Sequence, residues 1–166
     1  MDLRKKMAIK NMRFNRFIFL RYSLALFFFT NLNWFIFMLP SGNAAIMIPL
    51  LMIIGAIFPI KEFLKVYDVK QKIRLNDTKK YFAGQLILNL LLIVSALNAQ
   101  LFSFVFPFMN INMYGIIGMT SVLSLGILIS LTGLKKINVL REDKDKGYKL
   151  YMDFKKSLKV SETHGE

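Results

Sequence analysis

The chain has 166 residues, is 55% hydrophobic and carries a formal net charge of +13, with a mean hydropathy of +0.44. A soluble domain spreads charge along every amphipathic helix. Here charge is confined to three segments, which argues against a soluble core and for one membrane domain, and the absence of Cys removes disulfides, thiolate nucleophiles, lipoprotein attachment and thiolate metal sites.

Residues 1–21 hold seven Lys or Arg and one Asp, interspersed with Met7, Ile9, Met12, Phe14, Phe17 and Ile18. This pattern predicts an interfacial helix whose cationic heads sit among anionic lipids of the inner leaflet. The plainer reading is an orientation signal alone. Residues 22–60 contain no Asp, Glu, Lys or Arg and turn at Pro40-Ser41-Gly42-Asn43, which predicts a first transmembrane hairpin. Its first span runs from about Tyr22 to Leu39. The start resembles a signal peptide, with Gly42-Asn43-Ala44-Ala45 after the apolar run, but cleavage there would strand a basic loop outside. An uncleaved anchor is therefore expected. Asn31 and Asn33 lie in this span, where an amide needs a partner. The second span runs from about Ala44 to Ile60, with Pro49 early and Pro59 near its exit.

Residues 61–80 form a basic cytoplasmic loop, expected to be helical, with Ile60, Leu64, Tyr67 and Leu75 near helical spacing. Asn76-Asp77-Thr78 reads as a helix N-cap. Residues 81–134 are again free of Asp, Glu, Lys and Arg and turn at 107–112, which predicts the second transmembrane hairpin. The third span, Tyr81 to Phe106, contains Gln85, Asn89, Ser95, Asn98 and Gln100. Its alternating Phe102, Phe104, Phe106 and Phe108 would suggest a strand in water. A lone strand in lipid leaves its backbone unpaired, so a helix end and turn is expected. The fourth span, Tyr114 to Leu134, offers Gly118, Gly126 and Ser130 as a helix-packing seam, either within the bundle or between copies. Residues 135–166 form a charged cytoplasmic tail. Beyond Gly147, the stripe Leu150, Tyr151, Phe154 and Leu158 predicts a short amphipathic helix on the inner leaflet or on a soluble partner.

The expected fold is all-α: a polytopic membrane protein with four transmembrane helices in two hairpins and both termini cytoplasmic. Basic loops stay inside, and the three charged segments share one side only when the number of spans is even. The basic excess is thus explained by topology, and nucleic acid is not an expected partner. The expected partners are anionic lipids and a membrane protein or further copies of the chain.

Chemistry is sparse. His164, near the end of the chain, is the single His and has no metal-ligating neighbours in sequence. No Gly-rich phosphate loop, zinc-protease motif or nucleophile elbow occurs, and no cofactor or metal is expected. Glu142, Asp143 and Asp145 precede Gly147 out of register for a calcium loop, and a solvated charged turn is expected. The spans hold no ionisable group other than Tyr, which counts against coupled transport. The polar candidates are Asn31, Asn33, Asn89 and Asn98, as separate interhelical hydrogen bonds or as the lining of one cavity. Leu32-Asn33 and Pro40 echo Leu97-Asn98 and Pro107, but the spacings differ, so the echo reads as chance.

Arg13-Phe14-Asn15-Arg16-Phe17, Arg21-Tyr22 and Leu26-Phe27-Phe28-Phe29-Thr30-Asn31 resemble the entry of small uncharacterised four-span proteins of low-GC Gram-positive bacteria. Some of those carry a sugar-phosphotransferase subunit label. That label implies a phosphorylatable His on a soluble domain; this chain offers only His164, so the activity is not carried over. The expected function is that of a non-enzymatic accessory or interaction subunit in the bacterial cytoplasmic membrane. The alternative is a small pore, flippase or immunity-type protein handling a neutral or hydrophobic substrate.

Overall fold

A computed structural model describes residues 3–65 and 75–163. Tyr67 and His164 lie outside the described residues. The helices are α1 (Leu3–Asn15), α2 (Ile18–Met38), α3 (Met47–Leu64), α4 (Asn76–Ser95), α5 (Ala99–Val105), α6 (Met113–Arg141) and α7 (Lys146–Thr163). No strand occurs among the described residues. Three helical stretches are long and apolar enough to cross a membrane: Ile18–Ser41, Ala44–Leu64 and Met113–Phe154, the last taking in all of α6. At 20 residues α4 has a comparable length, but it opens on Asp77, Lys79 and Lys80 and carries Gln85 and Asn89, which lowers its hydropathy.

The four long helices close into a ring. Packing runs from α2 to α3, α3 to α4, α4 to α6 and α6 back to α2. One apolar cluster, including Leu20, Phe27, Phe63, Phe82 and Ile137, fills one half of the bundle. Another, including Trp34, Met38, Leu92, Phe102 and Leu123, fills the other half. Outward-facing leucines stay bare: Leu51 is 66% exposed, Leu91 62% and Leu128 58%. A soluble monomer rarely leaves so much contiguous apolar surface uncovered.

The two ends of the bundle differ in character. At one end the three charged segments meet. Arg21 Nη2 donates to the Phe63 carbonyl at 3.1 Å, and Arg16 pairs with Asp143 and Asp145. Glu62 at the end of α3 accepts from the backbone of Asp77 at 3.0 Å and of Thr78 at 2.9 Å. At the other end the two charge-free turns meet. Trp34 Nε1 donates to the Val105 carbonyl at 3.2 Å, and Asn43 Nδ2 donates to the Phe104 carbonyl at 2.6 Å. The rings of Phe37 and Phe108 lie 5.4 Å apart.

Several elements depart from the pattern read in the sequence. The third span is not one helix from Tyr81 to Phe106. It stops at Ser95, whose hydroxyl donates to the Leu92 carbonyl at 2.6 Å. The chain restarts at Asn98, whose backbone is extended and whose side chain accepts from the amides of Gln100 and Leu101. An Asn side chain competes with the helix for backbone donors and favours the N-cap. The alternating phenylalanines then resolve on α5 and its exit: Phe102 and Phe106, four residues apart, are buried, whereas Phe104 and Phe108 are exposed.

Asn76-Asp77-Thr78 does not cap α4 with its own side chains. The cap comes from Glu62, which also accepts from the Thr78 hydroxyl at 2.7 Å. The preceding Leu75 takes a left-handed φ of 50° and is nonetheless buried. Likewise α6 runs past Leu134 to Arg141, and Gly147 lies inside the first turn of α7 rather than interrupting the tail ahead of it. Asp145 caps that turn by accepting from the Tyr148 amide at 3.0 Å.

Candidate functional site

The bundle contains two polar centres. The first sits between α2, α4 and α6. Asn31 is buried midway along α2; its Nδ2 donates to the Phe27 carbonyl one turn back at 2.8 Å and across to Gln85 Oε1 at 3.1 Å. Gln85 Nε2 in turn donates to Asn89 Oδ1 at 3.3 Å, one turn along α4. All three side chains are buried. Amides suit this depth because they satisfy one another without ionisation, whereas an isolated charge there is costly. The Tyr81 hydroxyl is buried beside Asn31 without closing a hydrogen bond.

The other side of this ladder is a seam of small residues. A Cβ on Gly126 would collide with the Asn89 amide, and one on Gly133 would collide with the Phe82 ring. Ser130, between them, is fully buried and its hydroxyl has no partner. Gly126 and Ser130 thus lie against the interior of the bundle, where glycine lets α6 approach α4 closely. Gly118 is elsewhere: it is exposed and a Cβ there meets open space. The candidate contacts and seam read from the sequence leave out Gln85, Phe82 and Gly133. The steps of four and three residues from Gly126 to Ser130 to Gly133 would have flagged Gly133 as part of the same face.

The four asparagines do not behave alike. Asn31 and Asn89 belong to the ladder. Asn33 is exposed and donates to the Phe29 carbonyl of its own helix at 2.8 Å. Asn98 is the exposed cap of α5, well separated in role from the other three. The two echoed asparagines have different backbone settings: Asn33 lies within α2, and Asn98 is the N-cap of α5. A cleft of about 280 Å³ is bordered by Asn31, Asn33, Trp34, Gln85, Asn89 and Phe106, and not by Asn98. It lies at the lower limit for a small-molecule pocket. Side-chain amides do not ionise near neutral pH, so those bordering the cleft can hold or orient a neutral group but do not serve as a general acid or base. No group of three or more His, Cys, Asp or Glu side chains that would hold a metal occurs among the described residues.

The second centre is at the charged end. The break between α1 and α2 presents Arg16, whose side chain is 9% exposed. Its Nη2 lies 2.8 Å from Asp143 Oδ1 and 2.6 Å from Asp145 Oδ1, and its Nε donates to Asp145 Oδ2 at 3.0 Å. Such a two-point contact with one carboxylate is the strong geometry for Arg. The guanidinium also lies 4.9 Å from the centre of the Tyr148 ring, and its stem packs on Gly147. Burial lowers the Arg16 pKa, but Asp145 and Asp143 outweigh it and hold the group above the usual guanidinium value. The segment is a charged turn in which Glu142 stays exposed, but Asp143 and Asp145 are engaged by Arg16 and not simply solvated as the sequence suggests. Its partner is 127 and 129 residues away, beyond any local pattern. Glu142 and Lys144 form a separate exposed pair at 2.7 Å, each shifting the other toward its charged form.

No family model matches the chain, and neither a curated protein nor a solved structure matches it.

Proposed function

We propose that this chain is a four-span protein of the bacterial cytoplasmic membrane with both termini in the cytoplasm. It acts without catalysis, as an accessory or interaction subunit of a larger membrane complex or of its own assemblies. The observation that carries the reading is how polarity is used. The buried amides of Asn31, Gln85 and Asn89 are engaged with one another, while the outer face of α6, including Leu125 and Leu128, stays bare. A bundle whose central amides are already engaged with one another has its free surface left for lipid or a partner. The four-span topology is supported by the meeting of basic segments at one end and of charge-free turns at the other. Reporters fused after Gly42 and after Asn110 should be active outside the cytosol; activity inside would overturn the topology. Affinity purification in mild detergent after crosslinking in native membrane should recover a second polypeptide or a second copy. Recovery of a lone monomer would overturn the accessory reading.

A second reading, a small pore or flippase, is favoured by one observation: three of the four asparagines border the same cleft. The lack of native Cys makes the discrimination clean. In Asn33→Cys, rapid reaction with a membrane-impermeant maleimide, abolished when a neutral amphiphile fills the cleft, would favour the pore. An accessory subunit with a lipid-sealed cleft stays unreactive.

A further inference from the structure

At the charged end, α1, α6 and the start of α7 enclose a groove of about 730 Å³, bordered by Met12, Thr132, Lys135, Lys136, Lys146 and Leu150 among others. Its charges divide into two groups. Arg16 at its base is neutralised by Asp143 and Asp145, and Lys144 is paired with Glu142. Lys135, Lys136 and Lys146 form no ion pair among the described residues, and all three are exposed; the Lys136 ammonium lies 5.4 Å from the centre of the Phe19 ring, which leaves its charge unneutralised. The carboxylate that borders the groove, Asp145, is already committed to Arg16. What remains presented is cationic, on walls made partly of Met12, Val139 and Leu150.

The groove does not end at those lysines. On α6, Leu125, Leu128, Thr132, Lys135 and Val139 follow steps of three and four residues, which places them on one face. Leu125 and Leu128 are 59% and 58% exposed. The Thr132 hydroxyl is turned back to the Leu128 carbonyl at 2.8 Å and leaves that face smooth. A cationic groove thus continues into a bare apolar track on the same helix. A small free anion would use only the first part; a molecule with a phosphodiester and an acyl chain uses both.

We propose that this groove is a binding site for one anionic glycerophospholipid of the inner leaflet. Lys135, Lys136 and Lys146 hold the phosphate, and an acyl chain lies along Leu128 and Leu125. The site rests on the membrane reading above, and it adds a defined ligand position to it.

The test uses the full chain in zwitterionic detergent, with phosphatidylglycerol and phosphatidylcholine as competing probes and retained lipid counted by native mass spectrometry. One phosphatidylglycerol should be held in preference to phosphatidylcholine. Lys135→Gln should weaken it about fivefold, and Lys135→Gln with Lys136→Gln and Lys146→Gln about a hundredfold. A control carrying Lys61→Gln, Lys79→Gln and Lys80→Gln removes the same charge at the α3–α4 junction and should retain the lipid. Equal loss in both triple variants would mean a diffuse charge effect and overturn the site. Displacement by millimolar inorganic phosphate would mean a small-anion site and overturn the lipid. The single variant keeps the test decisive should the triple variant fail to fold. A membrane-inserted chain with no lipid preference sinks the site alone, whereas a chain recovered from the soluble fraction sinks the membrane reading as well.

Discussion

The amide ladder and the Arg16 clamp join distant parts of the same chain with opposite chemistry. Asn31, Gln85 and Asn89 link α2 to α4 in the middle of the bundle with neutral groups only. Arg16, Asp143 and Asp145 link the α1–α2 break to the start of α7 with full charges, at the end where the basic segments collect. Midway through hydrocarbon, an ion would need a complete set of partners to offset its desolvation. At the interface water supplies whatever partners are missing, so a strong ionic contact is tolerated there. On the membrane placement proposed above, depth would decide which polar chemistry fastens each junction.

That contrast can be broken most severely through the surface on which the ladder rests. Gly133→Ala forces a methyl group into the buried Phe82 ring. It should destabilise the bundle by about 3 kcal/mol, read as a lower unfolding midpoint in detergent. A wild-type midpoint would mean that α4 and α6 do not pack as described.

Next comes the clamp. Arg16→Ala leaves Asp145 without its cation and should cost about 2 kcal/mol, less than a fully buried pair because Asp143 is 41% exposed. The loss should be local: α7 becomes open to limited proteolysis while the bundle of α2, α3, α4 and α6 melts normally. The raised Arg16 pKa also fixes the sign of any pH effect. Its stabilisation is complete below the unfolded-state pKa and is lost only as pH rises through the higher folded-state value, so titration of Arg16 leaves the clamp intact across the neutral range. Raising salt to about 1 M should loosen α7 and leave the ladder unaffected, because screening acts on ions near water.

Asn31→Leu removes the donor to Gln85 while keeping the volume of the side chain. It should cost about 1 kcal/mol, the scale of interhelical hydrogen bonds in lipid. A cost as large as that of Arg16→Ala would erase the distinction between the two centres. The smallest effect belongs to Gly118→Ala, which meets open space. It should change stability by no more than about 0.5 kcal/mol and leave any self-association unaltered; a clear loss of oligomer would move the helix seam to that outer face.

The sequence alone sufficed for the helical class and for the candidate spans of α2, α3 and α6. Hydropathy and charge segregation are summed over many residues, so no single contact alters them. It also marked Asn31, Asn89, Gly126 and Ser130 as residues that need neighbours. Which neighbours they have was settled only in three dimensions. Gln85 completes the ladder and Gly126 lies on Asn89; Glu62 reaches across from α3 to cap α4, and Arg16 finds acids at the far end of the chain. The break at Asn98 belongs to the same class. Tyr81 to Phe106 is apolar enough for one helix, but an Asn side chain can serve the helix or cap a new one, and the packing of Phe102 and Phe106 beneath Trp34 selects the cap. Pairings of this kind depend on which helix faces appose, and composition and spacing along one chain carry no information about apposition.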